Sequence, residues 1–141
     1  MFALKMTGII FLSGLIAQLI KIVSFYIEHR KINFNRFFET GGMPSSHAST
    51  ATALTILVGI YNGFNNVLFI VTLFFAMVIM YDAAGIRRAA GRQAIILNRI
   101  VEEIVRDKHI NEERLVELLG HTPLEVFMGS ILGILVAVIF A

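Results

Sequence analysis

The sequence contains no cysteine, which excludes disulfide bonds and metal sites built on thiolates. Charged residues are also scarce, because they make up only 16% of the 141 residues whereas 57% are hydrophobic. This composition is too apolar for an ordinary soluble domain and indicates an integral membrane protein with a single domain. The formal net charge of +2 is small and dispersed along the chain, so we expect no binding to nucleic acid.

Four stretches of the chain are apolar enough to be predicted as membrane helices. They cover about residues 2–26, 44–61, 67–82 and 123–141. The first is long enough to cross a bilayer and lacks an Ala-x-Ala cleavage pattern, so we expect a retained helix rather than a signal peptide. The second and third are separated by the short uncharged turn Asn62–Asn66, which predicts an antiparallel hairpin.

Residues 92–119, between the third and fourth stretches, are too polar to span a bilayer. Apolar residues recur there at helical spacing with charged residues between them; they are Leu97, Ile100, Val101, Ile104 and Val105. This pattern predicts an amphipathic helical insert that lies on the membrane face or against the bundle. The predicted fold is an all-α, polytopic membrane helical bundle. It forms a single membrane domain over residues 1–141, with four transmembrane helices and an amphipathic interfacial insert.

Four crossings put the two polar connections, residues 28–43 and 81–123, on the same side of the membrane. That side carries every Lys and Arg residue except Lys5, and the positive-inside rule therefore places it in the cytoplasm. Gly129 and Gly133 form a Gly-x-x-x-Gly pair in the last helix. Such a pair permits close helix contact either within the bundle or between the subunits of a homodimer.

The stretch Gly41–His47 predicts the start of a helix beside an anion site. Its two glycines let the backbone turn, Pro44 suits the first turn of a helix, and Ser45 or Ser46 can cap it. His47 would then lie at the positive end of a membrane helix, where unpaired backbone N–H groups attract anions such as phosphate.

A second helix start of the same kind begins at His121. Thr122 and Glu125 have the spacing of a capping box, and Pro123 falls at the first helical position. If the two helix starts are neighbours, His47 and His121 can face one pocket. The cations on the same side, which can surround that pocket, are Lys21, Arg30, Lys31, Arg36, Arg87 and Arg88.

Two histidines with cationic partners suit metal-free phosphoryl transfer. One imidazole can attack phosphorus while the other protonates the leaving oxygen, and the cations stabilise charge on the equatorial oxygens. Arginine binds phosphate oxygens in pairs through its planar fork. The competing interpretations are structural: the histidines cap helices, and Arg87 and Arg88 complement the negative C-terminal end of the third helix. Lys21 either extends to the lipid headgroups, which is the structural interpretation, or points inward toward a substrate.

Two other functions fit the same residues. A non-catalytic membrane module would use its basic face to bind anionic lipid headgroups or a partner protein. A metal site could instead be built from His47, His121, Glu125 and Asp82, because histidine and carboxylate are ordinary metal ligands.

The motifs resemble those of a known superfamily. Pro44–His47 resembles the Pro-Ser-Gly-His motif of the type 2 phosphatidic acid phosphatase and vanadium haloperoxidase superfamily, and His121–Glu125 resembles its His-x-x-x-Asp. The segments Gly41–His47, Tyr81–Gly91 and Leu118–Val126 are similar to the small divergent branch of that superfamily found in bacteria and plastids. The resemblance covers nearly the whole chain.

This resemblance implies roles for individual residues. His121 would be the nucleophile that forms a phosphohistidine, Glu125 would orient it, and His47 would be the general acid that later activates water. The residues implied to hold phosphate are Ser45, Ser46, Arg88 and Arg87, together with one or more of Lys21, Arg30, Lys31 and Arg36.

The implied protein is a lipid phosphatase of the bacterial inner membrane that needs no cofactor. Its substrate would be a phosphorylated membrane lipid: phosphatidic acid, phosphatidylglycerophosphate or a polyprenyl diphosphate.

Overall fold

The computed structural model of this chain describes residues 2–30, 42–105 and 120–141. Within those ranges the backbone forms α-helices and one π-helical segment, with no strand. The helices are α1 (Phe2–His29), α2 (Ser46–Asn62), α3 (Val67–Tyr81), α4 (Arg87–Val105) and α5 (Pro123–Phe140), and the π segment (Asp82–Ile86) joins α3 to α4. The protein is thus an all-α polytopic membrane bundle, which confirms the predicted fold class.

Among the described residues, three helical stretches are long and apolar enough to cross a membrane. They are Ala3–Ile27 in α1, Val67–Glu102 in α3 and its continuation, and Pro123–Phe140 in α5. The 17 residues of α2 give a length of about 25 Å, short of a hydrocarbon core of about 30 Å. α2 would make the predicted fourth crossing, and its support is packing rather than length. It contacts α1, α3 and α5, and eight of its residues are buried.

Side-chain contacts fix the directions of the helices. α1 runs antiparallel to α2, because Ser13 contacts Ser49 through their hydroxyls at 2.5 Å, whereas Lys21, later in α1, lies beside Gly42, which precedes α2. α2 and α3 form the antiparallel hairpin expected from their short turn, and the Thr55 hydroxyl donates to the carbonyl oxygen of Thr72 at 3.1 Å. At the far end of α1, the Lys5 ammonium donates to the carbonyl oxygen of Ala141 at 2.8 Å, so α5 runs opposite to α1.

The glycine pair of α5 packs against α2 at backbone distance. A Cβ on Gly129 would collide with the carbonyl oxygen of Ser45, and a Cβ on Gly133 would collide with that of Ser49. Successive turns of the two helices therefore meet in parallel. Of the two expected uses of this pair, the structure contains the contact within the bundle, and both glycines are buried there. A homodimer stays a prediction, and it would have to use another surface.

Two helices begin at other residues than the approximate starts predicted from the sequence. The second helix begins at Ser46 rather than at Pro44, because Ser45 has an extended backbone and caps the helix, which leaves Pro44 outside it after a cis peptide bond. The amphipathic helix begins at Arg87 rather than near residue 92, because no proline separates it from α3 and the π segment continues the helical backbone. The rest of the predicted insert, residues 106–119, lies outside the described residues.

The main apolar core lies at a different level along the helices from the polar end of the bundle, which is the end where α2 and α5 begin. The main core cluster lies midway along the helices and toward the Lys5 end, and consists of Ile9, Ala53, Leu57, Val136 and Ala137. A smaller cluster of Ala48, Ala83 and Val126 packs the start of α2 against the π segment and the start of α5. This second cluster brings three chain segments together at the polar end of the bundle.

Candidate active site

Two capped helix N-termini lie side by side at the polar end. Ser45 caps α2 by accepting from the N–H of Ala48 at 3.3 Å, and Thr122 caps α5 by accepting from the N–H of Glu125 at 3.3 Å. The backbone N–H of Ser45 also donates to the carbonyl oxygen of Glu125 at 2.9 Å, which ties the two starts together. Because α2 and α5 are parallel, the positive ends of both helix dipoles point to the same region, which favours an anion there.

His47 and His121 meet in this region. Their ring centroids are 6.1 Å apart, and the ring planes are inclined at 62°. A hydrogen bond between heavy atoms spans about 3 Å, so both imidazoles can reach one ligand of the size of a phosphate. His47 is exposed on the first turn of α2, whereas His121 is buried with only 2% of its surface exposed.

His121 is held through both its backbone and its ring. Its backbone N–H donates to the carbonyl oxygen of Ala83 in the π segment at 2.8 Å, and its Nδ1 lies 3.0 Å from Oε2 of Glu125. An ionised carboxylate can only accept, so Nδ1 donates in this pair, and when the ring is neutral Nε2 is its basic nitrogen. A fixed neutral tautomer with a basic Nε2 is the form that an attacking imidazole requires.

Glu125 serves both His121 and the helix. The same oxygen that lies beside the imidazole accepts from the N–H of Thr122 at 3.2 Å, which completes the capping box predicted from the sequence. The sequence left open whether this residue orients the histidine or caps α5, and the geometry combines both contacts in one atom.

The two serines of the first motif have different surroundings. Ser45 is fully buried, and its N–H and hydroxyl oxygen are engaged by the Glu125 carbonyl and the Ala48 N–H. Ser46 is half-buried at the first position of α2, where backbone N–H groups are not paired within the helix. Of the two, Ser46 therefore has the better geometry for holding an oxygen of a ligand.

Lys21 points into the bundle. Only 5% of its surface is exposed, its Nζ is inaccessible to solvent, and its Cδ lies 3.8 Å from the Cβ that a side chain at Gly42 would have. This burial favours the inward interpretation of Lys21 over extension to the headgroups. Gly42 has φ of +93°, a conformation that suits glycine and lets the chain pass close over the lysine stem.

The remaining predicted cations are not brought to the histidines by any described contact. Arg30 is exposed at the end of α1, with φ of +53°. Arg87 and Arg88 begin α4 directly after the π segment, and their side chains lie outside the described part of the structure. Lys31 and Arg36 also lie outside the described residues.

The four residues considered for a metal site do not assemble into one. Within residues 2–30, 42–105 and 120–141, no group of three or more His, Asp or Glu side chains is close enough together to hold a metal ion. Asp82 is half-buried at the start of the π segment. The hypothesis of a site formed by His47, His121, Glu125 and Asp82 thus has no support in the geometry.

The sequence did not reveal that the π segment contributes to this site. The carbonyl oxygen of Ala83 positions His121, but a backbone acceptor leaves no mark in the side-chain pattern. The only signal was indirect, since the stretch Tyr81–Gly91 has small residues where close backbone contact is possible.

Comparisons with known proteins identify the family of this chain. The family model described as the divergent PAP2 family matches residues 4–136. YuiD, named an uncharacterized membrane protein of Bacillus subtilis (strain 168), is 39% identical over 138 residues, an alignment that covers 89% of this chain and 86% of the relative. No solved structure matches the chain significantly. With a family model that spans nearly the whole bundle, this membrane protein belongs to the divergent PAP2 family.

Proposed function

We propose that this protein is a membrane lipid phosphatase that hydrolyses a phosphomonoester or a pyrophosphate of a lipid through a phosphohistidine intermediate. The observation that carries the proposal is the pair of imidazoles 6.1 Å apart, with the buried ring fixed at Nδ1 by Glu125. One ring is thus oriented to attack, and the other is exposed beside it, where it can exchange protons with a leaving group or water.

The reaction has two steps. In the first, Nε2 of His121 attacks phosphorus, the bond between phosphorus and the bridging oxygen breaks, and His47 donates its proton to that oxygen as the lipid product leaves. In the second, His47 takes a proton from water, the resulting hydroxide attacks the phosphohistidine, and the N–P bond breaks to release inorganic phosphate. Glu125 stabilises the positive charge that His121 gains during attack.

Phosphate would be held by the two helix N-termini and by cations. Ser46 begins α2 beside His47, and Lys21 is buried near Gly42, just before the same helix. Arg88 and Arg87 follow the π segment that contacts His121, so they are the arginines we propose for the equatorial oxygens. Arg30, Lys31 and Arg36 stay alternatives for the same task.

The substrate would be a phosphorylated lipid whose headgroup reaches the interface. Phosphatidic acid, phosphatidylglycerophosphate and polyprenyl diphosphates all present a terminal phosphate there. The distribution of Lys and Arg residues supports a site on the cytoplasmic face of the bacterial inner membrane. The bound phosphate needs no metal in this mechanism, because cations and helix N-termini supply the positive charge.

The test is phosphate release by protein purified in detergent or nanodiscs, with the three lipid classes as substrates. We expect His121→Ala to lower kcat by at least about 1,000-fold, while lipid binding and helix content by circular dichroism are kept. Vanadate, which mimics the pentacoordinate phosphate, should inhibit the wild type, and EDTA should leave its activity unchanged.

Two results would contradict the proposal. One is turnover in His121→Ala equal to that of the wild type, which would exclude a nucleophilic role. The other is a wild-type protein that binds the phosphorylated lipids and hydrolyses none of them, which would favour a non-catalytic module that binds anionic headgroups. A separate result, activity lost in EDTA and restored by a divalent cation, would leave hydrolysis standing and exclude only the metal-free part of the mechanism.

A further inference from the structure

The contacts between α1 and α2 set the level of each α1 residue relative to the site. Ser13 contacts Ser49 in the middle of the bundle, and Lys21 lies beside Gly42, which precedes α2. Because the two helices are antiparallel, Gln18, which lies between these contacts on α1, is level with the start of α2. The side chain of Gln18 therefore belongs to the polar end of the bundle, one turn from Lys21.

The Gln18 carboxamide has an acceptor that the described protein does not use. Its Oε1 is buried, and it has no hydrogen-bond partner among the described residues. A buried carbonyl oxygen without a donor is destabilising, whereas an apolar side chain of similar size would carry no such cost. An unpaired acceptor at this level is understandable if a donor arrives with a ligand.

The chemistry of an amide oxygen limits what that ligand can offer. Ionised phosphate oxygens are themselves acceptors, so they cannot pair with Oε1. The donor must come from a group next to the phosphate, and the simplest is a hydroxyl on the carbon adjacent to the phosphate ester. Phosphatidic acid and polyprenyl diphosphates have no such hydroxyl, whereas a glycerol headgroup that carries a terminal phosphate does.

We propose that Gln18 is a specificity-determining residue that accepts a hydrogen bond from a headgroup hydroxyl of the substrate. This inference rests on the proposed phosphatase function and narrows its substrate class to lipids with a phosphorylated, hydroxyl-bearing headgroup, such as phosphatidylglycerophosphate. A buried acceptor that is paired by one substrate and left unpaired by another distinguishes the two by about ten- to a hundred-fold.

Thr52 provides a matched control. Its Oγ1 is likewise buried and without a hydrogen-bond partner in the described part of the chain. It lies six residues after Ser46, or about 9 Å deeper along α2, which is beyond the level of a headgroup. Thr52→Val thus removes a second unpaired oxygen of the same kind from a place where no headgroup hydroxyl would reach it.

The experiment compares phosphatidylglycerophosphate with phosphatidic acid of the same acyl chains. We expect the wild type to have the higher kcat/KM for the hydroxylated lipid, and Gln18→Leu to lower that value by about ten- to a hundred-fold. The same variant should change kcat/KM for phosphatidic acid by less than about threefold, and Thr52→Val should leave the ratio of the two substrates unchanged. Gln18→Met is a second variant without the carboxamide. Thermal unfolding of each variant shows whether a lower kcat/KM comes from lost recognition or from impaired folding.

A binding measurement separates this inference from the proposed function. Calorimetric titration of His121→Ala protein with short-chain forms of both lipids gives dissociation constants without turnover, and adding Gln18→Leu should weaken binding of the hydroxylated lipid alone. Equal loss for both lipids, or no loss for either, would overturn the role of Gln18 even if hydrolysis is established. Absence of hydrolysis together with selective loss of binding would instead overturn the proposed function and keep the recognition.

Discussion

One carboxylate oxygen of Glu125 takes part both in capping α5 and in orienting His121. It accepts from the N–H of Thr122 and lies 3.0 Å from Nδ1 of His121, so the cap of α5 and the orientation of the imidazole depend on the same atom. The length of glutamate suits this arrangement, because a capping box uses Glu or Gln at this position to reach back to the N-cap backbone. This is a physical reason for glutamate at this position.

The dual role can be separated by substitution. Glu125→Gln keeps an oxygen for the cap and removes the charge, so we expect kcat to fall by about 10- to 100-fold while the free energy of unfolding changes by less than about 1 kcal/mol. Thr122→Ala is the matched control: it removes the cap hydroxyl, lowers the free energy of unfolding by about 1 kcal/mol and keeps kcat within a few-fold. Phosphate release and thermal unfolding measure both quantities, and equal losses of kcat in the two variants would contradict this division.

At the scale of the element, the site depends on how closely α2 and α5 approach. His47 is carried by α2, whereas His121 and Glu125 are carried by the start of α5, so the distance between the imidazoles follows the distance between these helices. Gly129 sets that distance, because its missing side chain lets the backbone of Ser45 pack directly on α5.

Adding one methyl group at this contact should therefore disturb the site from a distance. Gly129→Ala places a Cβ against the carbonyl oxygen of Ser45, and we expect a loss of about 1–3 kcal/mol in the free energy of unfolding, with a marked loss of turnover. Gly8→Ala is the control, because nothing lies within 4 Å of its Cβ; it should stabilise α1 by up to about 1 kcal/mol and leave turnover unchanged. Thermal unfolding and phosphate release decide the case, and wild-type behaviour of Gly129→Ala would contradict it.

The sequence predicted those elements whose signals are local. Thr122, Pro123 and Glu125 specify the start of α5 by themselves, and the short turn before Asn66 specifies the hairpin of α2 and α3. The boundary between α3 and α4 could not be predicted, since a continuous helix with a π segment depends on how Ala83 packs against Ala48 and Val126 rather than on any breaker residue. The partner of Gly129 was equally hidden, because a Gly-x-x-x-Gly pair does not state which helix it contacts.

At the scale of the whole molecule, the described residues of the candidate site gather at one end of the bundle, away from the opposite end. The histidines, Lys21 and the π segment lie at the first, while Lys5, Ala141 and the turn from Gly63 lie at the second. Because the two ends differ, the membrane orientation can be measured by labelling one accessible position near each end.

The absence of native cysteine makes the orientation directly measurable. We expect Asn65→Cys, in the turn between α2 and α3, to react with a membrane-impermeant maleimide in intact cells, and Arg30→Cys, at the end of α1, to react only after the membrane is permeabilised. The unsubstituted chain gives the background of the assay. The opposite pattern would place the candidate active site outside the cytoplasm, and labelling of both positions from one side would contradict the number of crossings.

The enclosure of α2 has a consequence for synthesis of the protein. This helix carries His47, and its 17 residues are short for a membrane span, so its stable position depends on the neighbours α1, α3 and α5, which are made before and after it. We therefore expect α2 to enter the bilayer together with α3 as one hairpin, and the packing around α2 to be complete only after α5 has been made. His47 and His121 can thus be brought together only after α5 has been made, so a ribosome-bound fragment that lacks α5 has no assembled site.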